Sequence, residues 1–191
     1  LRLNGAGFYY RYRDQQFIDV NPDGTQVLLN LPRSRIFGAE VELVARPTSS
    51  LSVSASLGLL DTRIIEGVVQ GQSVAGNRLS NAPALNLSGA VDWDVLRSDA
   101  GALSLHIDAS YVSRQEFDAL NTPSLSQGGY GLLGARLAFR TADDRFGIAV
   151  WGKNLTDHYY YTSRIAIGSV GFNYNHVGTP RTYGVTLDAK F

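Results

Sequence analysis

Residues 102–112, ALSLHIDASYV, decide the fold class of this chain. Apolar and polar side chains alternate strictly along the stretch: Leu103, Leu105, Ile107, Ala109 and Tyr111 against Ser104, His106, Asp108 and Ser110. Alternation with a period of two residues is typical of a β-strand whose two faces meet different surroundings. The stretch is therefore predicted to be a strand with one apolar and one polar face.

The same period recurs along the chain. It is regular in 37–46, 51–59, 84–95 and 183–191, and less regular in 5–13, 131–140 and 145–154. No segment approaches the roughly 20 consecutive apolar residues of a membrane-spanning helix. The sequence predicts an all-β chain with eight strands.

Composition excludes several functional classes. The 17 Lys and Arg residues balance 17 Asp and Glu residues, so nucleic acid is not an expected partner. The chain has no cysteine, hence no disulfide, thiolate metal site or cysteine nucleophile. A length of 191 residues fits one domain or part of a larger one. Because the first residue is Leu1 and not Met, we expect that an N-terminal portion precedes it.

The connections between predicted strands alternate in length. Long links at 14–34, 66–83, 117–129 and 155–178 alternate with short ones at 47–50, 97–101 and 141–144. A soluble β-sandwich has no reason for this order, whereas an up-and-down outer-membrane barrel places short turns in the periplasm and long loops outside. The prediction is an antiparallel transmembrane β-barrel whose apolar face meets lipid. Aromatic residues near strand ends would form its interface girdles: Phe8, Tyr10, Tyr12, Trp93, Tyr111, Tyr130, Phe139 and Phe191.

Two C-terminal segments carry a family resemblance. The run WGKNLTDHYY at 151–160 resembles the NLTD-x-Y motif in the penultimate strand of TonB-dependent outer-membrane receptors, with motif positions at Asn154, Leu155, Asp157 and Tyr159. The final run, 178–191, resembles their closing strand, with Arg181 and a terminal aromatic. The run SRIFGAEVE at 34–42 is similar to another strand opening of that family.

The resemblance implies a transport receptor and not an enzyme, located in the outer membrane of a Gram-negative bacterium. Such receptors are barrels of about 22 strands closed by an N-terminal plug, and they import scarce nutrients such as ferric siderophores with energy relayed by TonB. Residues 1–191 would be the C-terminal barrel segment, without the plug domain. The implied partners are outer-membrane lipid, TonB through the absent N-terminal part, the barrel-assembly machinery and a small-molecule or metal-chelate ligand. No cofactor is implied.

The closing segment also resembles an assembly signal. Tyr183, Val185, Leu187 and Phe191 fall on one strand face, and in such barrels the assembly machinery is expected to recognise this strand by strand addition. Phe191 is equally compatible with a girdle aromatic.

The loop after Asp157 is the best candidate for ligand binding. It is rich in aromatic and cationic side chains, namely Tyr160, Tyr161, Arg164, Tyr174 and His176. Such groups suit a large planar, often anionic ligand through stacking and charge-assisted hydrogen bonds. They also suit an aromatic girdle at the outer interface.

Other chemistries have weaker support. Ser104, His106 and Asp92 could share a strand face as in a hydrolase, but no oxyanion hole is evident, so a polar network is favoured. The run 19–24 matches half of a calcium loop without its closing Glu, and the three histidines are scattered, so no metal site is predicted. A self-contained eight-stranded structural or adhesive barrel stays open as an alternative. The small residues of 52–58 favour a wider lumen.

Overall fold

The computed structural model describes residues 1–21, 23–168 and 171–191. Eight strands form one sheet: β1 (Arg2–Val20), β2 (Gln26–Thr48), β3 (Leu51–Glu66), β4 (Leu85–Ser98), β5 (Gly101–Val112), β6 (Tyr130–Thr141), β7 (Phe146–Lys153) and β8 (Thr182–Ala189). Each strand pairs antiparallel with the next strand of the series, which gives an up-and-down meander. The all-β class and the eight predicted strands are confirmed. In the described part of the chain, no helix has the length and apolar character needed to cross a membrane.

The long connections contain small elements of their own. Val68–Val69 pairs with Gln72–Ser73, Gln115–Glu116 pairs with Ser126–Gln127, and Tyr161–Ile167 pairs with Phe172–Val177. A short 3₁₀ helix spans Pro123–Leu125. The long links predicted after β3, β5 and β7 are therefore present, and the last one carries a hairpin.

The strand register separates an apolar face from a polar face. Directly paired residues lie on the same side of a sheet. One row across six strands is wholly apolar: Leu51, Trp93, Leu105, Leu137, Val150 and Val185. The neighbouring row, on the opposite side, is Ser52, Asp92, His106, Arg136, Trp151 and Gly184. The alternation predicted from single strands thus extends across six adjacent strands of the sheet.

The sheet is open. Within the described residues, β1 pairs only with β2 and β8 only with β7, so the two edge strands do not meet. A self-contained eight-stranded barrel would require that pairing. The alternative of a complete small barrel is not the structure that this chain forms.

The predicted long link at 14–34 is wrong, because β1 and β2 continue through most of it and only residues 21–25 connect them. The alternation changes phase near Asp14, whose φ is 52°. Leu31 and Ser34 are three residues apart, yet both are 2% exposed. Strict alternation with a period of two residues therefore does not identify a strand that contains such a change of phase.

The sheet places the predicted girdle aromatics on both of its faces, so the girdle prediction is wrong for those on the polar face. Trp93, Tyr111 and Phe139 pair with apolar residues on the apolar face. Phe8, Tyr10 and Tyr12 pair with Gly38, Ile36 and Ser34, which places them on the polar face. There the three rings form a ladder, with centroids 5.4 and 6.0 Å apart. Tyr130 lies on the polar face too, and Phe191 follows the end of β8.

The buried core lies at the loop end of the sheet, the end that carries the long connections. It comprises Leu31, Ile64, Val69, Val74, Leu79 and Ala119. These residues come from β2, β3 and the two connections 67–84 and 113–129. The long loops therefore fold onto the strand ends and pack there, which gives them fixed positions.

Candidate functional site

Four segments at the loop end enclose a cavity of about 610 Å³, here called the outer cavity. The tip of the β1–β2 hairpin contributes Phe17, Ile18, Asp19, Val20 and Gln26. The two middle connections and the last hairpin supply the other walls, including Gln70, Asn81, Phe117, Asp118, Leu120, Thr122 and Arg164. Ligand pockets in proteins typically measure about 300 to 1000 Å³, so the outer cavity has the size of a small-molecule site.

Gln70 holds the β1–β2 hairpin against the connection 67–84. Its side-chain amide donates to Asp19 Oδ2 at 3.0 Å and to the carbonyl oxygen of Val20 at 3.3 Å. Asp19 is buried, and Gln70 adopts a φ of 49°, a left-handed conformation that few residues other than glycine adopt. The contact thus fixes one corner of the cavity wall.

Asn121 joins the two middle connections. Its side chain accepts a hydrogen bond from the Arg78 amide at 2.8 Å and donates to the Arg78 carbonyl at 3.0 Å. Nearby, Asn77 donates to the Ala119 carbonyl at 2.9 Å. Because these bonds satisfy backbone groups of one loop with side chains of another, the two loops form a single wall.

Arg164 is the one predicted ligand residue that lines the outer cavity. Its Nε donates to Asn175 Oδ1 at 2.8 Å, and its Nη1 donates to the Ser126 carbonyl at 2.9 Å. The guanidinium carbon lies 4.3 Å from the ring centroid of Tyr161. These contacts hold a positive charge in a defined orientation at the cavity wall.

The other four predicted ligand residues, Tyr160, Tyr161, Tyr174 and His176, do not line the outer cavity. Tyr160 stacks on Tyr130 with centroids 4.4 Å apart. Tyr161 packs under the Arg164 guanidinium. Tyr174 is 53% exposed, and His176 lies on the second strand of the hairpin. Their binding role stays a prediction.

Sequence reasoning missed most of the cavity lining. Phe17, Asp19 and Gln70 lie in segments whose alternation is broken or absent, and only the folded loops bring them together. A weak local signal existed at Asp118, which accepts a hydrogen bond from the Thr122 amide at 2.9 Å and another from the Thr122 hydroxyl at 2.5 Å. Such a polar turn marks a loop, but it does not mark a binding site.

The motif residue Asn154 organises the chain directly after β7. It is 6% exposed, and its amide donates to the carbonyls of His158 at 2.9 Å and Thr179 at 3.1 Å. Its Oδ1 accepts from the His158 amide at 2.9 Å and from the Thr156 hydroxyl at 3.3 Å. Its φ is 47°, which asparagine tolerates better than most residues. Asn154 therefore closes a tight loop and fastens it to the segment before β8.

The two C-terminal motifs meet in space. Asp157 Oδ2 lies 3.1 Å from Arg181 Nη2, and both side chains are about half exposed. Leu155 donates its amide to the Leu133 carbonyl at 2.8 Å and lies over Gly152. Tyr159 is exposed and packs edge-on against Tyr161. The motif residues thus connect β6, β7 and β8 at the loop end.

The polar face carries the predicted charge network. His106 Nδ1 lies 2.7 Å from Asp92 Oδ1, and its Nε2 lies 3.7 Å from Asp108 Oδ1. Ser104 pairs with Asp94 and Ala138, two residues along the strand from His106. The Ser–His–Asp order needed for a nucleophile and its base is therefore not assembled. The described residues contain no group of three or more His, Asp or Glu side chains that could hold a metal ion.

The closing strand shows the predicted facing. Tyr183, Val185 and Leu187 pair with residues of β7 on the apolar face and are 79%, 63% and 76% exposed. Phe191 follows the strand and is fully exposed. The role of this strand in barrel assembly stays a prediction.

Comparisons with known proteins agree with this geometry. A family model described as "TonB dependent receptor-like, beta-barrel" matches residues 1–155. The ferric-pyoverdine M114 receptor PbuA of Pseudomonas sp. (strain M114) is 25% identical over 100% of this chain and 22% of its own length.

Three solved structures share the fold of this chain. The ferric yersiniabactin uptake receptor FyuA from Yersinia pestis superposes with a TM-score of 0.81 at 25% identity, covering 99% of this chain and 27% of that one. The siderophore receptor PiuA from Acinetobacter baumannii gives 0.76 at 20% identity, covering 99% and 26%. The ferripyoverdine receptor of the Pseudomonas aeruginosa outer membrane gives 0.69 at 18%, covering 100% and 25%. The chain spans about a quarter of the length of these proteins.

Proposed function

The chain belongs to the family of TonB-dependent receptor β-barrels, and on this premise we propose that it forms part of the wall and outer mouth of an outer-membrane uptake receptor. The whole protein would import ferric siderophores or similar metal chelates into a Gram-negative cell with energy relayed by TonB. Residues 1–191 would be the C-terminal segment of its barrel. The apolar face would then meet lipid, and the polar face would line the lumen.

The observation that carries the proposal is the division between rows of the sheet. Six strands place only apolar residues in the row that includes Leu105, and the next row includes Asp92, His106 and Arg136. A water-soluble sheet would gain nothing from exposing such a continuous apolar surface. A barrel wall between lipid and an aqueous lumen requires this division.

The lining of the outer cavity supports the proposal that the ligand is a metal chelate. Phe17 and Phe117 offer aromatic contact, Gln70 and Asn81 offer amide groups, and Arg164 offers a positive charge. Guanidinium groups bind anionic oxygens through charge-assisted hydrogen bonds, and aromatic rings stack on planar chelating groups. Similar proteins are described as receptors for ferric siderophores, which is the same chemical class.

The proposal is tested by iron uptake. The full-length protein is expressed in a Gram-negative host that lacks its own siderophore receptors, and cells receive radiolabelled ferric pyoverdine, ferric yersiniabactin, or hydroxamate and catecholate chelates. At least one chelate should accumulate, and accumulation should stop when TonB is deleted. Uptake that persists without TonB would contradict the proposal. So would no accumulation of any chelate while the protein is present in the outer membrane.

Variants of the cavity link uptake to this chain. Arg164→Gln and Gln70→Ala should weaken binding of the transported chelate. Arg145→Gln removes the same charge in the short turn between β6 and β7, away from the cavity lining, and should leave binding unchanged. Loss of one charge-assisted hydrogen bond corresponds to roughly a tenfold to 100-fold weaker Kd. Equal effects of Arg164→Gln and Arg145→Gln would remove the outer cavity from the proposal.

A further inference from the structure

Five arginines lie on three adjacent strands, on the side of the sheet that carries the apolar face. The register aligns Arg11, Arg35 and Arg63 as direct neighbours across β1, β2 and β3, and it aligns Arg13 with Arg33 one step further toward the loop end. The buried residues Ser34, Thr62 and Ile64 point to the opposite side, so these arginines point outward. We call the five residues the arginine row.

The arginine row lies directly beyond the apolar band. On β3 the outward residues are apolar from Leu51 to Leu59, and Asp61 and Arg63 follow. On β1 and β2 the last residues before the row are Tyr9 and Phe37, which pair with each other and are half exposed. A stretch of about nine strand residues spans the hydrocarbon of a membrane, and aromatic residues lie at its boundary. The row therefore lies at headgroup height on the outer side.

The row carries more positive charge than its carboxylates balance. Arg35 pairs with Asp61 and Arg33 pairs with Glu66, each at 2.8 Å. Among the residues that the structure describes, no ion pair engages Arg11, Arg13 or Arg63. Arg35 Nε is buried without a hydrogen-bond acceptor. Neighbouring strands are about 4.8 Å apart, so the guanidinium groups repel one another unless an anion lies between them.

We propose that the arginine row binds the phosphate groups of an anionic lipid headgroup in the outer leaflet. The inference rests on the proposed membrane orientation of the barrel. Guanidinium groups bind phosphate oxygens in a bidentate manner, and three of them in adjacent strands can contact one headgroup from several sides. A lipid whose chains pack on Tyr9 and Phe37 would present its phosphate at this height. This surface lies on the outside of the wall and is separate from the outer cavity.

The test measures binding of diphosphorylated lipid A to the full-length protein purified in a neutral detergent. The first variant carries Arg11→Gln, Arg35→Gln and Arg63→Gln. The control variant carries Arg46→Gln, Arg97→Gln and Arg145→Gln, which removes the same charge near the short turns at the other end of the sheet. Basic residues at a membrane surface contribute about 1 kcal/mol each, so the first variant should bind roughly 100-fold more weakly, and the control variant should bind like wild type.

Two further arms define the ligand. Lipid A without its phosphates should bind as weakly as the first variant does. Inorganic phosphate at the concentration of the lipid should not displace it. Displacement would assign the row to free phosphate and overturn the lipid proposal. Unchanged binding by the first variant, or an equal loss in the control variant, would overturn it too.

Folding and insertion are checked separately in the same preparations. A second variant carries Arg11→Lys, Arg35→Lys and Arg63→Lys. It keeps the positive charge and should retain most binding, and it takes the place of the triple Gln variant if that variant fails to fold. If wild type and the Lys variant both fold and insert into membranes but neither binds lipid A, the lipid proposal fails and the barrel proposal stands. If wild type does not insert into membranes, the proposed function itself fails.

Discussion

Replacing Asn154 tests whether the C-terminal motif acts as a structural fastening. Asn154→Ala removes four side-chain hydrogen bonds to His158, Thr179 and Thr156. Each is worth about 0.5 to 1.5 kcal/mol net when buried. The φ of 47° adds about 1 kcal/mol of strain for alanine. The local structure should lose roughly 3 to 7 kcal/mol.

Hydrogen exchange of single amides measures this loss where it occurs. The amides of Asp157 and His158 donate to Asn154 and should exchange roughly 100 to 100,000 times faster in the variant. Asn154→Gly keeps the backbone conformation and removes the same hydrogen bonds, so its effect should be smaller by about 1 kcal/mol. The amide of Leu187 in β8 serves as the internal control. Unchanged exchange at Asp157 and His158 would refute the fastening role.

Four further outcomes follow from the same structure. Gly178→Ala should destabilise the loop end by about 1 to 3 kcal/mol in thermal unfolding, because a Cβ there would overlap the Tyr160 ring. Gly128→Ala should not, because nothing lies within 4 Å of the Cβ that it would add. A double-mutant cycle on Asp157 and Arg181 should give at most about 1 kcal/mol, because the pair is exposed; a larger coupling would contradict this estimate. Lys190, and then Arg140, lower the pKa of Asp144 below its usual value, so the stability that this carboxylate contributes should be present above about pH 4 and lost as pH falls further. Asp144→Asn should reduce this pH dependence of amide exchange in the turn 142–145, and Asp143, whose pKa is lowered by hydrogen bonds from Thr141 and the Arg145 amide, should account for the rest. Deleting Phe191 should lower the yield of folded barrel in the outer membrane, and unchanged yield would remove its assembly role.

Strand faces could be predicted from the sequence wherever one residue type alternates with another over a whole strand. Residues 102–112 show this, since the register with β4 and β6 confirms every face assignment. The rule failed at Asp14, where a left-handed residue shifts the alternation within a continuous strand. In the sequence, strands whose alternation changes phase therefore look like a loop.

Aromatic placement could be predicted only in part, because a ring near a strand end can lie on either face. Trp93 and Tyr10 have similar sequence contexts, but their partners Leu105 and Ile36 lie on opposite sides of the sheet. Only the register distinguishes the two cases.

The candidate site was the least predictable part. Arg164 could be singled out in the sequence because a cation among aromatics is conspicuous, and its binding role stays a prediction. Asp19 and Gln70, by contrast, meet across 51 positions through loop packing. The ion pair between Asp157 and Arg181 likewise joins two motifs that the sequence shows only as separate patterns. Contacts between loops depend on the folded strand ends that carry them, and no local periodicity records them.

The most direct test of the barrel wall is a single-cysteine scan of β5 in membranes. The scan is straightforward because the chain contains no cysteine of its own. Spin labels at positions 103, 105, 107 and 109 should be highly accessible to oxygen dissolved in lipid, and labels at 104, 106, 108 and 110 should not. This alternation with a period of two residues would support a sheet whose apolar face meets the membrane. Equal oxygen accessibility at odd and even positions, or high accessibility only at the even ones, would contradict the barrel wall on which the proposed uptake function rests.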